Sequence, residues 1–182
     1  MTEAAWIALG IAAVLGFWVL GAYNRLVALR SAVAAAWAQA DEAQRRRGEG
    51  TEKLVAALRA PLAGEPGALD ALWSAQAASA RAAGAMSARP LLAANARAWT
   101  EAERHLGAAA ARVFALVDGR AEALAGDAAL GEARTVWAEA EQRLRFARQL
   151  YNDAAAAHDE AIAVFPTSLL SPAFGFHAAG RL

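Results

Sequence analysis

Histidines, the side chains best suited to move protons or ligate metal near neutral pH, number three in this chain. His105 follows Glu101 by four residues, a helical pair on a solvated face; His158 falls within a regular apolar repeat; His177 stands alone near the end. The Glu-x-x-His spacing that projects paired metal ligands from one helix face is missing. There is no Cys, which excludes thiolate nucleophiles, disulfides and Cys-based metal centres. Nor is there a glycine-rich phosphate loop, a Gly-x-Ser-x-Gly elbow or a His-Glu-x-x-His pair. The expectation is therefore no catalytic residue, no cofactor and no metal. A metal- or ligand-dependent enzyme using the three His and scattered acids is the weakest alternative. One cationic cluster stands out in AQRRRGEG, residues 43–50, where Arg45, Arg46 and Arg47 adjoin. Guanidinium groups suit phosphate, anionic lipid or carboxylate. Glu42, Glu49 and Glu52 dilute the run, so the reading is a solvated cluster paired between helices, with a docking patch as the alternative.

The chain has 182 residues, with 18 Lys+Arg against 18 Asp+Glu. This balance gives no field to steer it toward nucleic acid, and no nucleic-acid partner is expected. All basic residues except Lys53 are Arg, a bias that fits codon usage in an Ala-rich chain.

What must position these residues begins with AAWIALGIAAVLGFWVLGA, residues 4–22, which contains no ionisable side chain. At about 1.5 Å per residue it reaches roughly 28 Å, the thickness of a bilayer's hydrocarbon core. Trp6 lies near one end and Trp18 and Tyr23 toward the other, where amphipathic rings favour headgroups. Residues 1–22 are read as a transmembrane anchor contacting lipid through 4–22. A cleaved signal is disfavoured, because Glu3 precedes the run and no Lys or Arg does. Arg25 and Arg30 follow the span closely, so the positive-inside bias places the N-terminus outside and the rest in the cytoplasm. Ala8, Ala12 and Gly16 form a small-residue face through which copies of the chain could self-associate.

Beyond the anchor the composition is that of helices, with no alternating β-branched runs. PLAGEPG at 61–67, the 86–90 stretch and the 119–126 region punctuate it. The spacing predicts helices at 23–60, 67–85, 90–118 and 127–165. The fold class is all-α, with the anchor continuing into an antiparallel up-and-down four-helix bundle over 23–166 and an apolar tail at 167–182. Gly48 and Gly50 mark a kink or break in the first helix. In the last, Leu130, Trp137, Leu144, Tyr151, His158 and Phe165 recur every seventh residue, and Ala133, Ala140, Ala147, Ala154 and Ala161 follow three residues after the first five. This heptad seam calls for partner helices approaching at the alanines. Asp127 caps the start and Pro166 stops the end. Glu139–Arg143 and Glu141–Arg145 are i, i+4 pairs on a solvated face. Phe146 lies off the seam, where a third helix is expected to cover it. His158, on the seam, is read as a partly buried, hydrogen-bonded core residue, with pH sensing as the alternative because its charge would carry a desolvation cost. Leu169, Leu170, Phe174 and Phe176 of the tail either close the bundle's end or touch the membrane, and closure is preferred.

Three stretches together resemble the LemA family of bacterial single-span membrane proteins. YNRLVALRSAVAAAWAQAD at 23–41 is similar to its juxtamembrane pattern, QRRR at 44–47 to its basic run, and RLRFARQLYNDAAAAHDEAIAVFPTSLLSPAFGF at 143–176 to its most specific region. The two middle helices resemble it only in being Ala-rich. EGTEKLV stands where the family has Asp-Leu-Ile-Pro-Asn-Leu-Val, Pro172 interrupts the tail, and Ser168 replaces a usual Asn, so a contact made through the missing stretch is in question. The resemblance implies a bacterial inner-membrane protein with an antiparallel helical bundle and no established catalytic activity. Carried over by position, Leu144 and Tyr151 are structural, while Phe146, Asn152 and Asp153 are candidates for a partner surface beside Arg45, Arg46 and Arg47. The functional expectation is a membrane-tethered, non-catalytic scaffold or adaptor engaging an unidentified protein partner. A regulatory subunit of a membrane protease, transporter or sensor is the alternative.

Overall fold

The computed structural model describes residues 2–165, 167–170 and 174–182. Four long helices account for most of it: α1 (Glu3–Leu58), α2 (Pro66–Ala88), α3 (Ala93–Asp118) and α4 (Ala128–Ala163), followed by the single turn α5 (Thr167–Leu170). Pro66 starts α2, where a missing N–H is harmless. Asp127 caps α4 by accepting a hydrogen bond from Leu130 N at 3.0 Å. Pro166, Pro172 and the side chains of Leu169 and Leu170 lie outside the described residues.

The apolar N-terminal stretch is long and apolar enough to cross a membrane, and its hydropathic core is wholly exposed. It runs into the bundle as one helix, without the break expected at Gly48 and Gly50. Both glycines serve packing instead. A Cβ on Gly50 would lie 3.0 Å from Trp137 N, so its absence lets α1 and α4 approach backbone to backbone. Ala40 and Ala43 of α1 and Ala140 and Ala147 of α4, all buried, serve the same close approach.

The most extensive pairing is between α1 and α4, with the shorter α2 and α3 packed as an antiparallel hairpin beside them. The α4 seam is inward as its spacing predicts: Leu130, Ala133, Ala140, Leu144, Ala147, Tyr151, His158 and Ala161 are buried, and Trp137 packs edge-on against Phe114 at 5.0 Å. Phe165 departs from it. The helix ends at Ala163, and Val164 turns extended at φ −83° and ψ 136°, releasing the Phe165 ring to 73% exposure.

Two apolar cores share the bundle. Leu54, Leu58, Leu72, Leu106, Val113 and Leu130 build the one far from the apolar stretch. Trp37, Trp99, Met86, Leu144 and Tyr151 build the nearer one. The hairpin stops short of the anchor side, and there the C-terminal segment takes its place. Phe176 is buried with Leu26 and Ala161, Gly180 N donates to Leu91 O at 3.3 Å, and a Cβ on Gly180 would strike Ala96 Cβ at 2.6 Å. Phe176 thus closes the bundle's end, as expected of it, whereas Phe174 departs from that expectation and stays 46% exposed.

Candidate functional site

The three arginines of the cationic run part company, because consecutive helical residues point about 100° apart. Arg45 and Arg46 are exposed and held on α1 itself, Arg45 at 3.2 Å from Asp41 and Arg46 at 2.9 Å from Glu42. Arg47 faces inward and is 2% exposed, which removes it from any accessible partner surface. Its place follows from a seven-residue row on α1, Leu26, Val33, Ala40, Arg47 and Leu54, all buried.

Around Arg47 every long helix contributes at least one polar group. Its Nη2 donates to Glu103 Oε1 on α3 at 2.6 Å, and its Nη1 donates to Glu103 Oε2 at 2.8 Å and to Glu141 Oε2 on α4 at 2.9 Å. Ser79 on α2 donates to Glu103 Oε1 at 2.5 Å. Below it, Thr51 donates to Arg47 O at 2.9 Å and stands 3.5 Å from Gln76 Oε1. This layer separates the two apolar cores. Burial acts to lower the Arg47 pKa, but the hydrogen bonds and charges of Glu103 and then of Glu141 outweigh it and raise the value. The guanidinium stays charged, and the bidentate geometry pairs both Nη atoms in a setting where an unpaired charge is very costly, while the buried Nε has no hydrogen-bond partner among the described residues. Glu141 is thereby engaged across the bundle rather than with Arg145, whereas the Glu139–Arg143 pair forms loosely at 3.9 Å.

Phe146 stays open: no third helix covers it, and it is 63% exposed. It lines a groove of about 490 Å³ on the outer face of α1 and α4, with Ala38, Gln39, Glu42, Arg46 and Arg143. Asp153, also exposed, lies seven residues further along the same stripe, about 10 Å away by helix rise. Asn152 is committed elsewhere. Its Nδ2 donates to Leu182 O at 2.9 Å and its Oδ1 accepts from Leu182 N at 2.8 Å, clamping the C-terminal segment. Phe146, Asp153, Arg45 and Arg46 are therefore the accessible members of the candidate surface, while Arg47 and Asn152 hold the scaffold together.

His158 is fully buried on the seam, its Nδ1 at 3.3 Å from Asp159 Oδ1 and its ring beside Phe176. Asp159 also accepts from Ala179 N at 2.7 Å and pairs with Arg181 at 2.9 Å. His105 and Glu101 meet at 3.0 Å on the exposed face of α3, shared with Arg104. The Arg104 contact is the main cause holding the Glu101 carboxyl below its usual range. Tyr151 donates to Pro90 O at 2.5 Å. Its phenol is pushed up to about 12, chiefly by burial, with the charge of Arg181 opposing and that of Asp159 adding.

Sequence reasoning missed Glu103 and Ser79, although a signal was present. On α3, Ala96, Trp99, Glu103, Leu106, Ala110, Val113 and Val117 alternate at three and four residues, and all are buried. A carboxylate in such a row requires a buried partner.

A model of the LemA family matches residues 36–181. The chain belongs to that family. No curated protein matches it.

Proposed function

We propose that this LemA-family protein is a non-catalytic scaffold or adaptor of the bacterial inner membrane, tethered by residues 4–22. Its N-terminus lies outside, and its bundle presents a protein-binding surface in the cytoplasm. One observation carries the reading: α1 passes from the apolar stretch into the bundle core without interruption over Glu3–Leu58. A continuous helix transmits position and orientation, so a partner surface on its outer face with α4 is held at a fixed height above the bilayer. The open face containing Phe146, Arg46 and Asp153 supports that placement, since an exposed aromatic flanked by opposite charges is the composition of a contact surface.

Photo-cross-linkers at positions 146, 153 and 73 of the full chain in cells test it. Positions 146 and 153 should yield one defined adduct, a partner or a second copy, that position 73 on α2 does not. Equal yields from all three would reject the outer-face surface. The chain has no Cys, so single cysteines at Thr2 and Ser74 report orientation. An impermeant maleimide should label only position 2 in spheroplasts, and labelling at position 74 would overturn the cytoplasmic placement.

A further inference from the structure

Large apolar side chains exposed on the bundle are unevenly placed. Away from the spanning stretch, Trp73, Leu92 and Phe146 stand singly, whereas Tyr23, Val27, Val164, Phe165 and Phe174 all belong to the anchor-side end. The antiparallel register explains the grouping. Gly50 abuts Trp137, Arg47 meets Glu141, and Leu26 shares a cluster with Ala161. Extending that register to the end of α4 sets Ala163 opposite Asn24, two residues past the uncharged run of α1, and Val164 and Phe165 follow it directly. The tail brings a second aromatic to the same level: the Phe174 ring lies 5.2 Å from that of Tyr23 and lines a groove with Gly16, Val19 and Leu20 of the spanning stretch. Residues 164–176 contain no ionisable side chain.

Resting on the membrane-anchored reading above, we infer that the anchor-side end of the bundle is a second lipid contact: a collar of Tyr23, Val164, Phe165 and Phe174 seated in the headgroup region. Its occupant is the bilayer surface. The collar is continuous with the helix that crosses the membrane, and α1 fixes its height at the end of the apolar run. Aromatic rings favour that zone for their amphipathic shape and quadrupole, and the uncharged 164–176 segment makes the tail's part of the contact apolar, with Arg25 on α1 the nearest basic residue. Without the collar, the span and the bundle it carries could tilt together in the bilayer; with it, the bundle's end bears on the bilayer surface beside the span.

The test uses the full chain in phosphatidylcholine vesicles, with a single cysteine replacing Val14, Val164, Phe165 or Trp73 and an environment-sensitive fluorophore on each. Nitroxide-bearing lipids supply the quencher. Labels at 164 and 165 should be quenched several-fold more than the label at 73, most strongly by headgroup-level nitroxide, while the label at 14 responds to nitroxide deep in the acyl chains. If 14 is quenched but 164 and 165 behave like 73, the anchor stands and the collar is overturned. If 14 is also unquenched, the membrane-anchored reading falls, and the collar with it.

Discussion

The two apolar cores solve the same packing problem by different means. The one far from the anchor is mostly leucine and valine, and its stability comes from area removed from water, roughly 25 cal/mol per Å² without directional preference. The near core sets aromatic rings among alanines. Trp37 meets Trp99 edge-on at 5.2 Å and Tyr151 at 6.3 Å, and the polar ends of two rings are anchored near the α2–α3 turn, Trp37 Nε1 donating to Ser87 Oγ at 2.9 Å and Tyr151 to Pro90 O. Leucine packing tolerates volume-conserving exchange, whereas edge-to-face rings with hydrogen-bonded tips admit few arrangements. The polar layer at Arg47 divides these regimes and, like a polar residue at a coiled-coil seam, fixes helix register at a cost in stability. The end that holds the tail and the anchor is thus the geometrically specified one.

The strongest way to break the comparison is to remove the divider. Glu103→Ala leaves Arg47 buried with only the partly exposed Glu141, and should cost about 3–5 kcal/mol of stability. Thermal unfolding of the detergent-solubilised chain measures it. Arg47→Met with Glu103→Leu removes the buried charges together and should be far milder. Were the double variant as damaged as the single one, the layer's contribution would be shape rather than charge.

Gly50→Ala tests the close approach beside the layer. Helix propensity alone favours the change by about 1 kcal/mol. The new Cβ would sit 3.0 Å from Trp137 N and 3.1 Å from its Cα, which are backbone atoms that cannot step aside. Overpacking wins, and a net loss of about 1–3 kcal/mol is expected in the same unfolding measurement.

Tyr151→Phe probes the directional half. Losing the phenol leaves the Pro90 carbonyl without that donor, at about 1 kcal/mol. The pH profile is the sharper readout. The folded-state pKa is raised from 10.0 to about 12, so the neutral phenol is favoured in the fold. Its contribution is complete below pH 10 and is lost as pH rises through 12. The melting temperature of the parent should fall more steeply across that window than that of Tyr151→Phe, and parallel slopes would remove the phenol from the specified core.

Much of this fold is legible in the sequence because helices write their packing at a fixed period. The α4 heptad predicts most of its buried residues, missing Ala155, which is buried where the seam's Ala154 is only half-buried, and the punctuation places all four long helices within about three residues at their bundle ends. Phe165 escapes the rule because the period persists in the sequence after the helix has ended at Ala163. The candidate surface is harder to read. Arg45, Arg46 and Arg47 look alike as a run, and only the row linking Arg47 to Val33, Ala40 and Leu54 separates the buried one. Asn152 and Asp153 are adjacent, yet Asn152 turns to the C-terminal segment. That contact joins residues 30 apart, its far partner lies in a segment without regular secondary structure, and no spacing along α4 announces it.

The smallest effect asks whether the two halves differ in their helices or only in their cores. Gly84 on α2 flanks the aromatic half and Gly107 on α3 the leucine half; a Cβ at either would meet nothing within 4 Å. Both are exposed in helix interiors. Replacement by Ala should therefore stabilise each by about 0.5–1 kcal/mol, through backbone entropy alone. Equal gains at both positions, measured by thermal unfolding, would locate the contrast in side-chain packing. A gain at Gly107 with a loss at Gly84 would mean that the aromatic half constrains its outer backbone as well, extending the specified region from the rings to the helices that carry them.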